Sequence, residues 1–386
     1  MLVRNARIIL PDRIVQSTGL LIKGNRIARI FDGESVPSDE DGSIDLTGLT
    51  LFPGFIDIHI HGAVGVDTME AGSQELFQLG EFLARQGVTA WLPTLVPAPV
   101  EQYQNAIRVI TECFNHQQDH GSGAQVLGVH YEGPFVNSEQ CGALHREHFR
   151  TFESNQELDE LPTIKTAGAL HMMTLAPEVK GGIGLIKELN RRRWITSIGH
   201  TRATIDILDE ARVAGARHMT HFMNAMTPLH HRAPGPVGWG LLNEEVSVDV
   251  IADGIHLDPS ILKLILRNKG SEGVSLISDA IAATGEGDGD YQIWGETITV
   301  KDGRTQNARG SIAGSVITML DAVRLMLSLN VSETEVAQMA STNPARLLGI
   351  DDDRGAIEAG KRADLVALDA NLNVHTTIVG GNVIEH

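Results

Sequence analysis

The chain has 386 residues, 42% hydrophobic and 21% charged, ordinary for a globular protein and enough for one large domain with a smaller appendage. Acidic residues outnumber basic ones by 49 to 31, a formal charge of −18, which argues against a nucleic-acid surface but leaves room for a small anion held by a local arginine. Two cysteines cannot build a disulfide framework, no apolar run nears the roughly 18 residues that span a bilayer, and no signal-type segment opens the chain, so a cytoplasmic location is expected.

In chain order, residues 1–50 carry short strand-like pieces, Val3–Ile9, Gly19–Lys23 and Arg26–Ile30, with turns at Pro11-Asp12 and Gly24-Asn25. The far end has the same texture: Ala363–Leu368, Val374–Val379, a Gly380-Gly381 turn and Asn382–Ile384. Neither end has enough strands to bury a core alone. Residues 1–50 and 350–386 are therefore expected to form one small composite β-sandwich, two independent β-extensions being the alternative. From 51 to 349 strands alternate with helices, which implies a parallel sheet of βα units. The strands expected are Phe55–His59, Thr89–Thr94, Gln125–Tyr131, Ala169–Leu175, Trp194–Ile198, His218–Phe222, Val246–Ile251 and Gly273–Ser278. Between and after them helices are expected at Ser73–Arg85, Val100–Asn115, Val179–Arg191, Ile205–Val213, Ser260–Arg267, Ser315–Ser328 and Glu333–Ala340. Eight strands in alternation predict an α/β fold of the (β/α)8 TIM-barrel type. An open doubly wound sheet competes, but its Gly-rich dinucleotide fingerprint is absent after the first strand.

In such a barrel the active site lies at the carboxyl ends of the strands. The first strand ends in His59-Ile60-His61, and residues two apart in a strand share a face, so both imidazoles can point at one spot. A lone His-x-His is also what a wet strand end looks like. The count along the rim argues for metal: Glu132 follows the third strand, His200 the fifth, His221 the sixth, Asp253 and His256 the seventh, and Asp279 the eighth. Glu132, His200 and His221 together form a three-ligand set with a position left for water, the pattern of a catalytic zinc site. Across the mouth, Asp279 is placed to take a proton from an attacking water and return it to a leaving nitrogen. Amide hydrolysis follows without a covalent nucleophile, and no Gly-x-Ser-x-Gly elbow competes. Arg232, in the Pro- and Gly-rich run Met226–Pro236 after the sixth strand, suits bidentate capture of phosphate or carboxylate; pairing with a surface acid is the alternative.

Taken together, these motifs resemble the N-acetylglucosamine-6-phosphate deacetylases of the amidohydrolase superfamily, over almost the whole chain. The resemblance rests on Pro53–Gly62, Glu132-Gly133-Pro134-Phe135, Leu175-Ala176-Pro177-Glu178, Gly199-His200, Thr220-His221, Asn224-Ala225-Met226, His231-Arg232, Ala252–His256, Ser278-Asp279-Ala280 and Ala313-Gly314-Ser315. Thr342-Asn343-Pro344-Ala345 and Gly360–Val366 extend it toward the far end. It implies removal of acetate from an amino-sugar 6-phosphate, with Glu132, His200 and His221 on a divalent metal, zinc or iron, and Asp279 as the acid/base. Asn224, Ala225 and Arg232 would bind the sugar phosphate, His256 the sugar, and Ile312-Ala313-Gly314 the acetyl group. With His59 and His61 both present a second ion is implied as an option, Glu132 bridging and Asp279 as a further ligand; no Lys stands at the bridging strand end. A homodimer is implied too, because a neighbouring subunit often completes the phosphate site in this family.

Two departures bear on the sugar. Where many members carry a substrate-contacting His after a Gly-Ala or Gly-Thr pair, this chain reads Gly142-Ala143-Leu144-His145. Either His145 serves from one residue later, or Leu144 makes the acyl-side contact apolar. Phe222-Met223 also replaces the usual Leu-Phe before Asn224. N-acetylgalactosamine 6-phosphate or an unphosphorylated acyl-amino sugar are the alternative substrates, and a non-catalytic scaffold of the same fold is the rival outside catalysis.

Overall fold

The computed structural model describes residues 1–32, 42–120 and 123–385. Residues 33–41 and 386, inside the expected composite sandwich, and 121–122, inside the expected barrel unit, lie outside the described residues. Eight parallel strands form the centre: Phe55–Ile60, Val88–Leu95, Gly128–Glu132, Leu170–Leu175, Ile195–Ile198, His218–Met219, Ser247–Ile251 and Val274–Ile277. Each pairs with the next in sequence, through registers such as Ile56 with Ala90, Glu132 with Thr174 and Ile251 with Ile277. Past the eighth strand the chain returns to the first: Asp279 donates its N–H to His59 O at 2.9 Å and His61 to Ala280 O at 2.8 Å. The sheet is thereby rolled into a nearly closed barrel. All six residues of the first strand and all eight of the second are buried, as strands covered on both faces must be.

Helices cover the outside. Ser73–Arg85 buries Leu76, Leu79 and Leu83, a three-and-four spacing that makes one apolar stripe, and Glu75 caps its start by accepting the Gly72 N–H at 2.7 Å. The helix expected to begin at Ser315 begins at Met319. Thr318 and Asp321 form a reciprocal capping box there, and Ser315 is used instead to bond Ser278 O across to the eighth strand. The sixth strand is shorter than expected because the chain turns left-handed at His221, φ 29°, and the His221 N–H goes to the Asp249 side chain rather than into a ladder.

The chain ends build a second sheet of eight strands. Leu2–Ile9, Ile14–Lys23, Arg26–Ile30, Ser43–Asp45 and Thr50–Pro53 come from the front, and Leu365–Leu368, Val374–Val379 and Asn382–Ile384 from the back. Thr50–Pro53 joins the two halves, parallel to Arg7–Ile8 and antiparallel to Leu365–Leu368. Arg26–Ile30 curls round to meet residues 361–363, with Ile27 N to Lys361 O at 2.9 Å and Ala363 N to Asn25 O at 2.8 Å. Val3, Ile8, Leu20, Ile22, Leu51, Leu365 and Ile378 fill the core this sheet encloses. A third, three-stranded antiparallel sheet, Gly289–Ile293, Glu296–Lys301 and Arg304–Asn307, follows the eighth barrel strand and was not anticipated. No helix among the described residues is long and apolar enough to cross a membrane.

Candidate metal centre and substrate cavity

Six side chains converge at the carboxyl rim: His59 and His61 from the first strand, Glu132 from the third, His200 and His221 just past the fifth and sixth, and Asp279 past the eighth. His200, His221 and Asp279 all lie in the left-handed backbone region, at φ 48°, 29° and 50°. That conformation is costly for non-glycine residues and persists where the surroundings hold it. Asp279 is held by its own amide on His59 O and by Ser315 N on its carbonyl at 2.7 Å. His200 is admitted by Gly199, where a Cβ would fall 2.6 Å from the methyls of both Thr174 and Thr220.

Two donor groups result. Glu132, His200 and His221 offer ligand atoms within 4.8 Å of one another, as do His59, His61 and Asp279. Glu132 Oε1 lies 2.9 Å from His200 Nε2 and 3.0 Å from His221 Nε2, and these two nitrogens are only 3.2 Å apart. Glu132 Oε2 faces His61 Nε2 at 3.3 Å, so one carboxylate turns an oxygen toward each group. Asp279 Oδ1 is 3.4 Å from His59 Nε2 and 3.3 Å from His61 Nε2. His200 Nδ1 meets the Gln140 carbonyl at 2.8 Å, which makes Nδ1 the N–H and leaves the Nε2 lone pair facing inward. His59 Nε2 is buried with no hydrogen-bond partner. Imidazole and carboxylate donors that face one another with an orphaned buried nitrogen fit a divalent cation.

Above these two donor groups opens a cavity of about 310 Å³, within the size range of small-molecule sites. Of the sequence-predicted residues, His61, Glu132, Ala143, Leu144, His200, His221, Asn224, Ala225, His256, Asp279, Ile312 and Gly314 line it. Asn224 Nδ2 is buried there without a partner. Asp253 lies behind the wall: its Oδ2 meets His256 Nδ1 at 2.6 Å, which turns His256 Nε2 outward. Ala313 is fully buried beside the lining. His145 is drawn toward Glu147 at 3.3 Å and Glu296 at 3.8 Å rather than into the cavity, so the side chain on the wall is Leu144. Arg232 is exposed on its loop, outside the lining.

The model of the Amidohydrolase family matches residues 50–384. The chain is 38% identical over 334 residues to the N-acetylglucosamine-6-phosphate deacetylase of Bacillus subtilis, covering 86% of this chain and 84% of the relative. It is 39% identical over 335 residues to the N-acetylgalactosamine-6-phosphate deacetylase of Escherichia coli, covering 86% and 87%. The crystal structure of N-acetylglucosamine-6-phosphate deacetylase from Thermotoga maritima superposes over 100% of both chains at a TM-score of 0.88 and 34% identity. The chain belongs to the amidohydrolase family, in its N-acetylglucosamine-6-phosphate deacetylase branch.

Electrostatics in this amidohydrolase favour a cation at the rim. Burial opposes charge on His61, His221, Glu132 and Asp279, and mutual attraction outweighs it. His61 is raised to about 10 by hydrogen bonds and charge from Asp279 and Glu132, against its burial. His221 is raised to about 9, chiefly by Glu132, against its burial. Despite their own burial, Glu132 is held well below the usual carboxylate range by the imidazoles, and Asp279 is lowered by His59 and His61. Two buried carboxylates thus draw positive charge inward, which suits a divalent cation at this site.

Four lining residues were not among the expected site residues: Gly142, Ile251, Trp294 and Ser311. Trp294 comes from the turn between the first two strands of the third sheet and sets its edge against His61, ring centroids 5.1 Å apart at 79°. Arg309 ties the same sheet to the loop after the third strand, donating to Ala143 O at 2.7 Å. The signal was present in Trp294-Gly295 and Asp302-Gly303 flanking the alternating run Glu296–Lys301, a hairpin pattern.

Proposed function

We propose that this protein hydrolyses the acetamide of N-acetylglucosamine 6-phosphate, yielding glucosamine 6-phosphate and acetate. The observation that carries the reading is a cavity set over two donor groups, one of which includes the Asp279 carboxylate, in a chain 38% identical to a deacetylase of that name. Glu132, His200 and His221 would hold one ion, and His59 and His61 a second, with Glu132 between them; zinc or iron suits the nitrogen and oxygen donors. Bound there, a divalent ion supplies Lewis acidity, polarising the amide carbonyl and making water acidic. Asp279 accepts the proton of the attacking water and passes it to the sugar nitrogen as the C–N bond breaks. Leu144, Ile312 and Trp294 shape an apolar wall that accommodates the acetyl methyl, while Asn224 and His256 offer polar contacts to the sugar.

Among the described residues, the cavity lining contains two carboxylates and neither Arg nor Lys, so a phosphate dianion needs a cation from elsewhere. Arg232 makes no ion pair among the described residues and is exposed. It is the proposed phosphate ligand, presented to a neighbouring copy in a homodimer. Ile205, Leu229, Leu242 and Val213 leave large apolar side chains exposed on the surrounding helices and loop, the last two at 78% and 77%, surface that a dimer would cover. A cytoplasmic location accompanies the reading, because membranes retain a phosphorylated sugar.

The 39% identity to an N-acetylgalactosamine-6-phosphate deacetylase favours a second reading with the epimeric sugar. Acetate release from both phosphorylated sugars and from unphosphorylated N-acetylglucosamine separates them. A higher kcat/KM for N-acetylglucosamine 6-phosphate is expected. Preference for the galactose epimer would transfer the assignment, and equal use of the unphosphorylated sugar would remove phosphate from it.

A further inference from the structure

Beneath the metal groups, inside the barrel, lies a chain of buried polar side chains that makes no contact with the cavity. Asp249, on the seventh strand, is fully buried, as are His218 and Thr220 from the sixth and His59 from the first. Asp249 Oδ2 meets His218 Nε2 at 2.8 Å and accepts the Thr220 hydroxyl at 3.3 Å. Its Oδ1 accepts the backbone N–H of His221. The Thr220 oxygen in turn meets His59 Nδ1 at 2.8 Å, and Ser247 closes the far end on His218 Nδ1 at 2.7 Å.

A hydroxyl has one proton, and a carboxylate is its stronger acceptor. With that proton on Asp249, Thr220 can only accept from His59, so the His59 proton resides on Nδ1. The lone pair then resides on Nε2, the buried nitrogen that faces Glu132 and Asp279 and has no other partner. The same carboxylate pins the left-handed turn that aims His221. We infer that Asp249 is a positioning residue for both donor groups at once: through Thr220 it sets the His59 tautomer, and through the His221 amide it fixes the second group. The inference rests on the reading of His59 and His221 as metal ligands.

Metal affinity, measured by chelator competition with zinc on the full chain, tests it without recourse to turnover. His59→Ala is expected to weaken one binding event, and unchanged binding would sink the ligand reading itself. Thr220→Val is nearly isosteric and removes only the hydroxyl; a loss of about 10- to 100-fold is expected, the usual effect of an outer hydrogen-bond partner. Thr220→Ser should restore it. Asp249→Asn should weaken the His59 group similarly, because the introduced amide donates to Thr220, turns the hydroxyl toward His59 Nδ1 and forces the imidazole proton onto Nε2. If His59→Ala loses affinity while Thr220→Val binds like the parent, the inference is wrong. It is equally wrong if Thr220→Ser binds as poorly as Thr220→Val, since the effect would then be packing. Should Asp249→Asn fail to fold, the threonine pair still decides.

Discussion

Asp279 illustrates how much of this centre is fixed by backbone. Its amide is tied across the barrel seam to His59 and its carbonyl is held by Ser315, so Asp279→Asn should leave its position unchanged while removing the ability to accept a proton. A fall in kcat of about 10²- to 10⁴-fold is expected, the contribution typical of a positioned acid/base, with metal content retained. Kinetics and metal analysis on one preparation check it; near-parental kcat would take Asp279 out of proton transfer. The convergence of these six side chains was legible in the sequence because strand ends of a barrel aim side chains at a common rim. Asp249 was silent and Thr220 entered only as the neighbour of His221, since their role depends on which strand faces which across the barrel. Leu144 was legible as a departure, and the reason it holds the wall while His145 does not became visible only with Glu296, supplied by a sheet 150 residues away in sequence.

At the scale of elements, the eight strands and most helices of the barrel were readable from apolar periodicity; the helix Gly235–Leu242, buried over most of its length, was missed, and the inserted three-stranded sheet went unread although its hairpin pattern stands in the sequence. Its Trp294 belongs to the cavity wall, and Trp294→Ala should raise KM for the acetylated sugar while improving relative kcat/KM for bulkier acyl groups. Assays with acetyl and butyryl amides measure it, and an unchanged ratio would mean the indole does not define acyl size. The helix Gly182–Arg191 offers a pH test. Glu188 near its end binds Arg191 at 2.6 Å and Arg192 at 2.7 Å, and those hydrogen bonds lower its carboxyl from 4.5 to about 2. A depressed carboxylate stabilises the fold above its unfolded value and loses that effect as pH falls through the folded one. Glu188→Gln should therefore melt below the parent at pH 7, with the gap narrowing below pH 4.5 and vanishing toward pH 2. A gap independent of pH would assign the loss to packing instead.

For the whole molecule, the nearly closed barrel puts the six candidate donor side chains on one rim, within the residues 50–384 that the family model matches. Among the described residues, no Arg or Lys lines the cavity. If Arg232 acts across a dimer, mixing inactive Arg232→Ala and Asp279→Asn chains should regenerate one intact site per mixed dimer, recovering a sizeable fraction of parental turnover on the phosphorylated sugar. No recovery from a mixture shown to exchange subunits would place Arg232 on its own site or on none. The most direct test of the central claim is acetate release from N-acetylglucosamine 6-phosphate before chelation, after chelation, and after zinc or iron is restored. Turnover that disappears with the metal and returns with it, in proportion to metal bound, is the predicted result. Turnover that persists in fully chelated protein, or that never appears with any metal, would contradict the account.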